Sequence, residues 1–194
     1  MRRAPLAAAL ALALLPVAPA SSQVQAIVPT FQLDAKKDVK GPLDIVRTAM
    51  STREDGSLRA DLTLRRPWAT ADVGAGGSLC MKLYVKADPD GDVPEYLVCA
   101  TPPAQGTALT GRLLRNRANG LPRTVAPVLV SRPDTRTLYL SFAPKAIRSP
   151  ATLRFAGETV WRGAGCPPVA GCVDLGPNPP GARDFRLHRD TASG

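Results

Sequence analysis

Histidine is nearly missing from this chain. The single one, His188, sits in the tail segment RDFRLHRD, whereas a Ser–His–Asp relay needs an imidazole held rigidly by its neighbours. No G-x-S-x-G elbow occurs either, so nucleophilic acyl transfer has no foothold. Aromatics make up only 5% of the residues, and no block of Lys and Arg interleaves with them, which argues against a nucleic-acid partner. Paired CxxC spacings are absent, which disfavours a zinc site. GAGG at 74–77 has neither a following helix nor a Lys, so no phosphate loop is present. Past residue 20 no apolar run reaches membrane-spanning length. No stretch of ten or more residues carries the periodicity of an amphipathic helix.

What the chain does have begins with an export signal. In MRRAPLAAALALALLPVAPA, Arg2 and Arg3 form a positive n-region and Leu6 to Leu15 an apolar stretch too short to cross a bilayer. Ala18-Pro19-Ala20 is an A-x-A cleavage site, so Sec export with cleavage after Ala20 is expected. No Cys follows that would take a lipid anchor. Four cysteines in an exported chain read as two disulfides with three alternative pairings. Arginine, alanine and proline are abundant and isoleucine is scarce, as in proteins of GC-rich bacteria. The formal charge is +9. A basic exported protein can approach anionic walls, phospholipid headgroups or polyanions, and can equally be a soluble domain with a solvated basic surface.

Residues 78–100, SLCMKLYVKADPDGDVPEYLVCA, fold on paper. Leu79, Met81, Leu83 and Val85 alternate with Cys80, Lys82, Tyr84 and Lys86, the period of a half-buried strand. If Cys80 opposes Cys99, then Met81 faces Val98, Leu83 faces Tyr96 and Leu79 faces Ala100, and one side of the hairpin is apolar. That single register also brings the sulfurs within bonding reach, since a disulfide needs Cα atoms about 4.4–6.8 Å apart. Cys166 and Cys172 are left to close the small loop CPPVAGC.

Other hairpins follow the same logic. Between Asp44–Thr52 and Leu58–Leu64, a three-residue connection Glu54-Asp55-Gly56 pairs Met50 with Ala60, Thr48 with Leu62 and Val46 with Leu64. Ser51/Arg59, Ala49/Asp61 and Arg47/Thr63 then share the opposite face. Leu109–Ala118 and Leu121–Val130 read as a hairpin through Asn119-Gly120, with Leu113 opposite Ala126 and Leu114 opposite Val125. Pro127 calls for an edge or a bulge in the second strand. Leu138, Leu140 and Phe142 share one face, as do Leu153, Phe155, Thr159 and Trp161, and one helical turn is expected within Pro144–Pro150. About eight short strands with almost no helix predict an all-β, antiparallel β-sandwich, jelly-roll or immunoglobulin-like. Its core is expected to hold Val46, Leu62, Leu64, Met81, Leu83, Val98, Val128, Leu140, Phe142 and Phe155. The divisions are a signal peptide at 1–20, a lead-in at 21–33, the sandwich at 34–163, and a disulfide loop with an extended tail at 164–194.

Asp88, Asp90 and Asp92, spaced i, i+2, i+4 in DPDGD, are the candidate ligands for a hard cation, with Glu95 as a further carboxylate. Calcium is the one cofactor they suit, and the same loop also reads as a solvated Pro-Asp-Gly hairpin tip. Asp34, Asp38 and Asp44 form a second acidic group suited to turn capping. Tyr84 and Tyr139 are the aromatics expected to face outward, as contact-surface candidates. Arg112, Arg115, Arg117 and Arg123 cluster about the Asn-Gly turn, as a solvated strand face or an anionic contact.

The stretch DAKKDVKGPLDIVRTAM followed by DGSLRADLTL resembles the opening of secreted bacterial β-sandwich domains of the CBM9-like and DOMON-like group, where a D-x-x-G-D-x-x-G-x-x-D-I lead-in precedes two antiparallel strands. Asp34, Asp38, Gly41, Asp44 and Ile45 match, and Lys37 stands where the pattern has Gly. The resemblance covers about the first fifty mature residues. It implies a jelly-roll-like sandwich, with structural calcium in some members and sugar or haem binding in others; no Met or His axial pair for haem is evident here. The later half, through WRGAGCPPVAGCVD, resembles the endings of exported proteins to which no activity attaches. The expected function is a secreted, non-catalytic binding module of the cell envelope, with a cell-wall glycan or an envelope protein as partner. The alternatives are a secreted hydrolase working through a carboxylate pair and a structural or protein-interaction module.

Overall fold

A computed structural model describes residues 29–34, 39–74, 76–86, 93–103, 107–117, 119–178 and 181–187. The export signal, Asp38, Asp88, Asp90, Asp92 and His188 lie outside the described residues. The strands are β1 (Thr30–Leu33), β2 (Ile45–Thr52), β3 (Leu58–Leu64), β4 (Ser78–Tyr84), β5 (Tyr96–Thr101), β6 (Thr110–Arg115), β7 (Arg123–Ser131), β8 (Thr137–Phe142), β9 (Thr152–Trp161), β10 (Cys172–Gly176) and β11 (Arg183–Arg186). Among the described residues helix is confined to one turn at Thr70–Val73 and a 3-10 turn at Pro144–Ile147.

All eleven strands form one antiparallel sheet in the order β1-β2-β3-β8-β7-β6-β5-β4-β9-β10, with β11 also on β9. The sheet curls until it is nearly closed into a barrel. This corrects the expected two-layer sandwich of about eight strands. The corner is β7: Val128 and the residues before it pair with β6, while Leu129, Val130 and Ser131 pair with β8. Pro127 sits beside that corner, where a residue without an N–H costs the ladder least. On the far side β9, ten residues long, pairs with β4 along one edge and with β10 and β11 in succession along the other.

Alternation fixes what faces inward. Leu58, Ala60, Leu62 and Leu64 of β3 meet Met81 and Leu83 of β4, Val98 of β5, Leu138 and Leu140 of β8 and Phe155 of β9 in one continuous buried cluster. Every residue expected in the core is there except Val46, which is half-buried. A register shift between Ile45 and Arg47 puts Ile45, not Val46, opposite Leu64. The cause is remote: the Ile45 N–H donates to a carboxylate oxygen of Asp174 at 2.5 Å, 129 residues away, which draws the start of β2 out of its simple register. The rest of the β2–β3 hairpin keeps the expected pairs, and Gly56 takes φ 74° in its turn. In β4–β5 the register is the expected one throughout, and Cys80–Cys99 is bonded across it with Cα atoms 4.1 Å apart. Cys166–Cys172 closes the second, smaller loop.

The β6–β7 hairpin differs in detail. Leu113 opposes Ala126 as expected, but Leu114 opposes Thr124, because Val125 is the extra residue of a bulge. The strands part after Arg115 and Arg123, so the connection is longer than the Asn119-Gly120 turn. Asn116 is diverted sideways, its backbone N–H donating to the Glu95 carbonyl and its side-chain amide to the Pro94 carbonyl.

The seam that nearly closes the barrel lies between β2 and the β9–β10 pair. Side chains bridge it where strand ladders do not: Asp174 accepts from Ile45 N–H, Thr159 donates to the Leu43 carbonyl at 2.6 Å, and Thr48 donates to the Gly176 carbonyl at 3.5 Å. Asp34 and Asp44 are buried beside it, and Arg65 donates to Asp44 at 2.8 Å. The loop before β2 is pinned by Trp161, whose ring lies so close to Gly41 and Gly163 that a Cβ at either would overlap it.

Candidate functional site

The predicted contact residues occupy three separate places. Tyr139 is on the outer face of the β1-β2-β3-β8 half of the sheet. Tyr84 is on the outer face of the other half, 5.3 Å from the Arg154 guanidinium, at a shallow cleft of about 240 Å³ that Lys86, Thr152 and Asp184 also line. Arg112 lies beside the Cys80–Cys99 pair, whereas Arg115 and Arg123 oppose each other directly at the barrel end, with Arg117 in the connection beyond them. The Glu95 carboxylate is turned back onto β4, accepting from the Val85 N–H at 2.9 Å with Lys86 at 3.8 Å. Among the described residues no group of three or more His, Cys, Asp and Glu is arranged to hold a metal ion.

The first of these places is the most elaborated. Alternation sends Phe31 and Leu33 of β1, Arg47, Ala49 and Ser51 of β2, Arg59, Asp61 and Thr63 of β3, and Tyr139 and Ser141 of β8 to the outer side. Register aligns them in rows: Phe31, Ala49, Asp61 and Tyr139 form one, and Ser51, Arg59 and Ser141 the next. Small residues make the floor, with Ala49, Ser51 and Ser141 buried. Long ones stand over it. Arg59 donates to both carboxylate oxygens of Asp61, at 2.9 and 3.3 Å, while its guanidinium lies 4.3 Å from the centre of the Tyr139 ring. The Arg47 guanidinium lies 5.0 Å from the centre of the Phe31 ring, and that ring is 51% exposed.

Burial raises the pKa of Asp61, against the opposing pull of the Arg59 and Arg47 charges. The carboxylate is a desolvated anchor for Arg59 rather than a solvated surface group. Next to it, Ser51, Thr52, Arg59, Pro29 and the hairpin tip Arg53-Glu54-Asp55 line a cleft of about 350 Å³. Asp55 is already engaged in that tip. It accepts from the hydroxyl and N–H of Ser57 at 2.5 and 2.9 Å, and the hydroxyl bond above all holds its pKa below the ordinary carboxylate value.

Chemically the face offers a fixed planar cation, a carboxylate and two aromatic rings over a floor of small residues. Nε and one terminal nitrogen of Arg59 are engaged by Asp61, and its remaining N–H groups are suited to a carboxylate or phosphate oxygen. The β2–β3 register placed Arg59, Asp61 and Arg47 on one face from sequence alone. It did not bring Tyr139 to them, because the β3–β8 pairing joins residues 78 apart and carries no local signal. Compared with known protein families, with curated proteins and with solved structures, the chain matches none.

Proposed function

We propose that this chain is a secreted, non-catalytic binding module of the bacterial cell envelope that engages glycan through the outer face of β1, β2, β3 and β8. The observation that carries the reading is Arg59, clamped between the Asp61 carboxylate and the Tyr139 ring. A side chain held in place before the ligand arrives loses less rotamer freedom on binding, and Arg and Tyr are the residues that dominate recognition surfaces. Arg47 over Phe31 supplies a second cation–ring pair, so an extended, acid-substituted glycan meets two donors rather than one. The adjoining cleft provides room for a projecting substituent. Export is supported by the n-region, apolar stretch and A-x-A site, and by two disulfides in a chain of this size.

Retention on insoluble cell-wall glycan and on a panel of acidic and neutral polysaccharides tests this directly. The wild-type chain should be held by acid-bearing members, and Arg59→Ala should weaken retention by one to two orders of magnitude, about 1.5–3 kcal/mol for a lost charge-assisted hydrogen bond. No retention on any member, or equal retention of Arg59→Ala, removes the reading. Phe31 and Leu33, exposed together on β1 at the end of the strand order, favour a second reading in which an envelope protein docks there. Retention that survives Arg59→Ala but is lost in Phe31→Ser would select it.

A further inference from the structure

Among the described residues the most exposed large apolar side chain belongs to the β6–β7 connection. Leu121 is 86% exposed in the β6–β7 connection; Val93, just before β5, is 69% exposed, and Val125, within β7, is 41% exposed. The bulge in β6–β7 makes Val125 the unpaired residue. The two Asn116 hydrogen bonds tie Pro94 and Glu95 to the base of the same connection, which brings Val93 alongside. The same connection and its flanking pair carry Arg115, Arg117 and Arg123, all exposed. No ion pair or side-chain hydrogen bond engages any of the three among the described residues. Strand direction puts the β8–β9 connection, with exposed Lys145 and Arg148, at this same end of the barrel.

Arg115 and Arg123 are direct cross-strand partners. Like charges placed opposite each other destabilise a hairpin, so this pair weakens the free protein. An anionic partner would turn the same pair to advantage. Apolar side chains at the tip of a turn, collared by arginines, match the layering of a bilayer surface, with acyl carbon beneath anionic headgroups. We infer that the β6–β7 tip docks the protein onto an anionic phospholipid surface, Leu121 and Val93 entering the headgroup layer while Arg115, Arg117 and Arg123 pair with lipid phosphates. This goes beyond glycan recognition and uses none of its residues. Charge of the wrong sign opposes it: strand direction puts Glu54 and Asp55 of the β2–β3 turn at this same end, and Asp88, Asp90 and Asp92 follow β4 in the sequence.

Co-sedimentation of the mature chain with vesicles of phosphatidylcholine alone, or of phosphatidylcholine containing 30% phosphatidylglycerol, tests the inference. Binding to the anionic vesicles only is expected, weakening as salt rises. Each Arg→Gln change at 115, 117 or 123 should lower the partition coefficient about fivefold, since a basic residue near such a surface contributes roughly 1 kcal/mol. Leu121→Ser should lower it severalfold without altering the salt dependence, and Asp88→Asn/Asp90→Asn/Asp92→Asn should raise it. Positions 115, 117, 121 and 123 are on the surface, and Arg115→Gln should unfold at a slightly higher temperature than wild type, which separates lost docking from lost fold. Equal binding to both vesicle types overturns the inference. So does an unchanged Leu121→Ser, which would mark a merely electrostatic contact that soluble polyanions share. Arg59→Ala should bind vesicles like wild type, so failure here and failure of glycan binding are read separately.

Discussion

Asp61 is ionisable and largely desolvated, and that combination has a consequence for stability. Its folded carboxyl titrates above the ordinary value because burial outweighs the attraction of Arg59 and Arg47. Between the ordinary and the raised value, the folded chain keeps a proton that the unfolded chain has released. The stabilising share of this group is therefore full below that window and is lost as pH rises through it. Asp61→Asn cannot ionise, so its melting temperature should gain on wild type as pH rises from about 3 to 7; a gap that stays constant across that range would refute the assignment. Gly157 makes a different demand, purely steric. It sits mid-strand in β9, where a Cβ would lie 2.6 Å from Thr48 Cγ2 and 2.8 Å from Leu62 Cδ2. Side chains of β2 and β3 fill that space already, so Gly157→Ala should cost about 1–3 kcal/mol of stability. In urea the midpoint should fall with the slope unchanged.

The hairpins were legible where the deciding contacts are local. Cys80 opposite Cys99 is fixed by alternation and by the reach of the sulfurs, both readable within 23 residues of sequence, and the register is as expected over every pair. The Glu54-Asp55-Gly56 turn likewise sets six of the seven β2–β3 pairs. The seventh, Ile45 with Leu64, depends on Asp174, and β10 cannot be placed against β2 from its own pattern. The β6–β7 bulge escapes for a similar reason, since Asn116 bonds to residues on the neighbouring strand's approach. The face built by Arg59, Asp61 and Tyr139 was half visible: two members lie on one predicted strand face and the third arrives by a distant pairing. Because β4 and β5 are each hydrogen-bonded on their other edge as well, to β9 and β6, their disulfide reinforces a ladder that already exists. Cys80→Ala/Cys99→Ala should lose about 2–4 kcal/mol and still unfold cooperatively in urea. A chain that fails to fold without this bond would show that the ladder alone does not hold the centre of the sheet.

Near-closure is the property that the whole chain has to cooperate to produce. Nine successive strand pairings, each antiparallel, carry the sheet from β1 around to β10, and there the ladder stops, with the start of β2 facing β10 across the seam. Closing the remaining gap by backbone bonds alone would require the end strands, β1 and β10, to run edge to edge. Instead the buried Asp174 carboxylate takes the Ile45 N–H, and the Thr159 and Thr48 hydroxyls take carbonyls of the facing segments. Gly157 and Gly176 keep the approach open, both lying against Ile45. A hydrogen bond to a buried charged acceptor contributes about 1.5–3 kcal/mol, and removing the acceptor leaves the Ile45 N–H without a partner in a place water does not reach. Asp174→Ala should therefore destabilise by about 2–3 kcal/mol, and the loss should be uneven. Amide exchange should accelerate in β2 and β10, at Ile45 first, while the β4–β5 centre keeps its protection, because that ladder is independent of the seam. Equal acceleration across all strands would mean that closure and sheet form one cooperative unit, and that the seam is not a separate weak line along which the barrel opens.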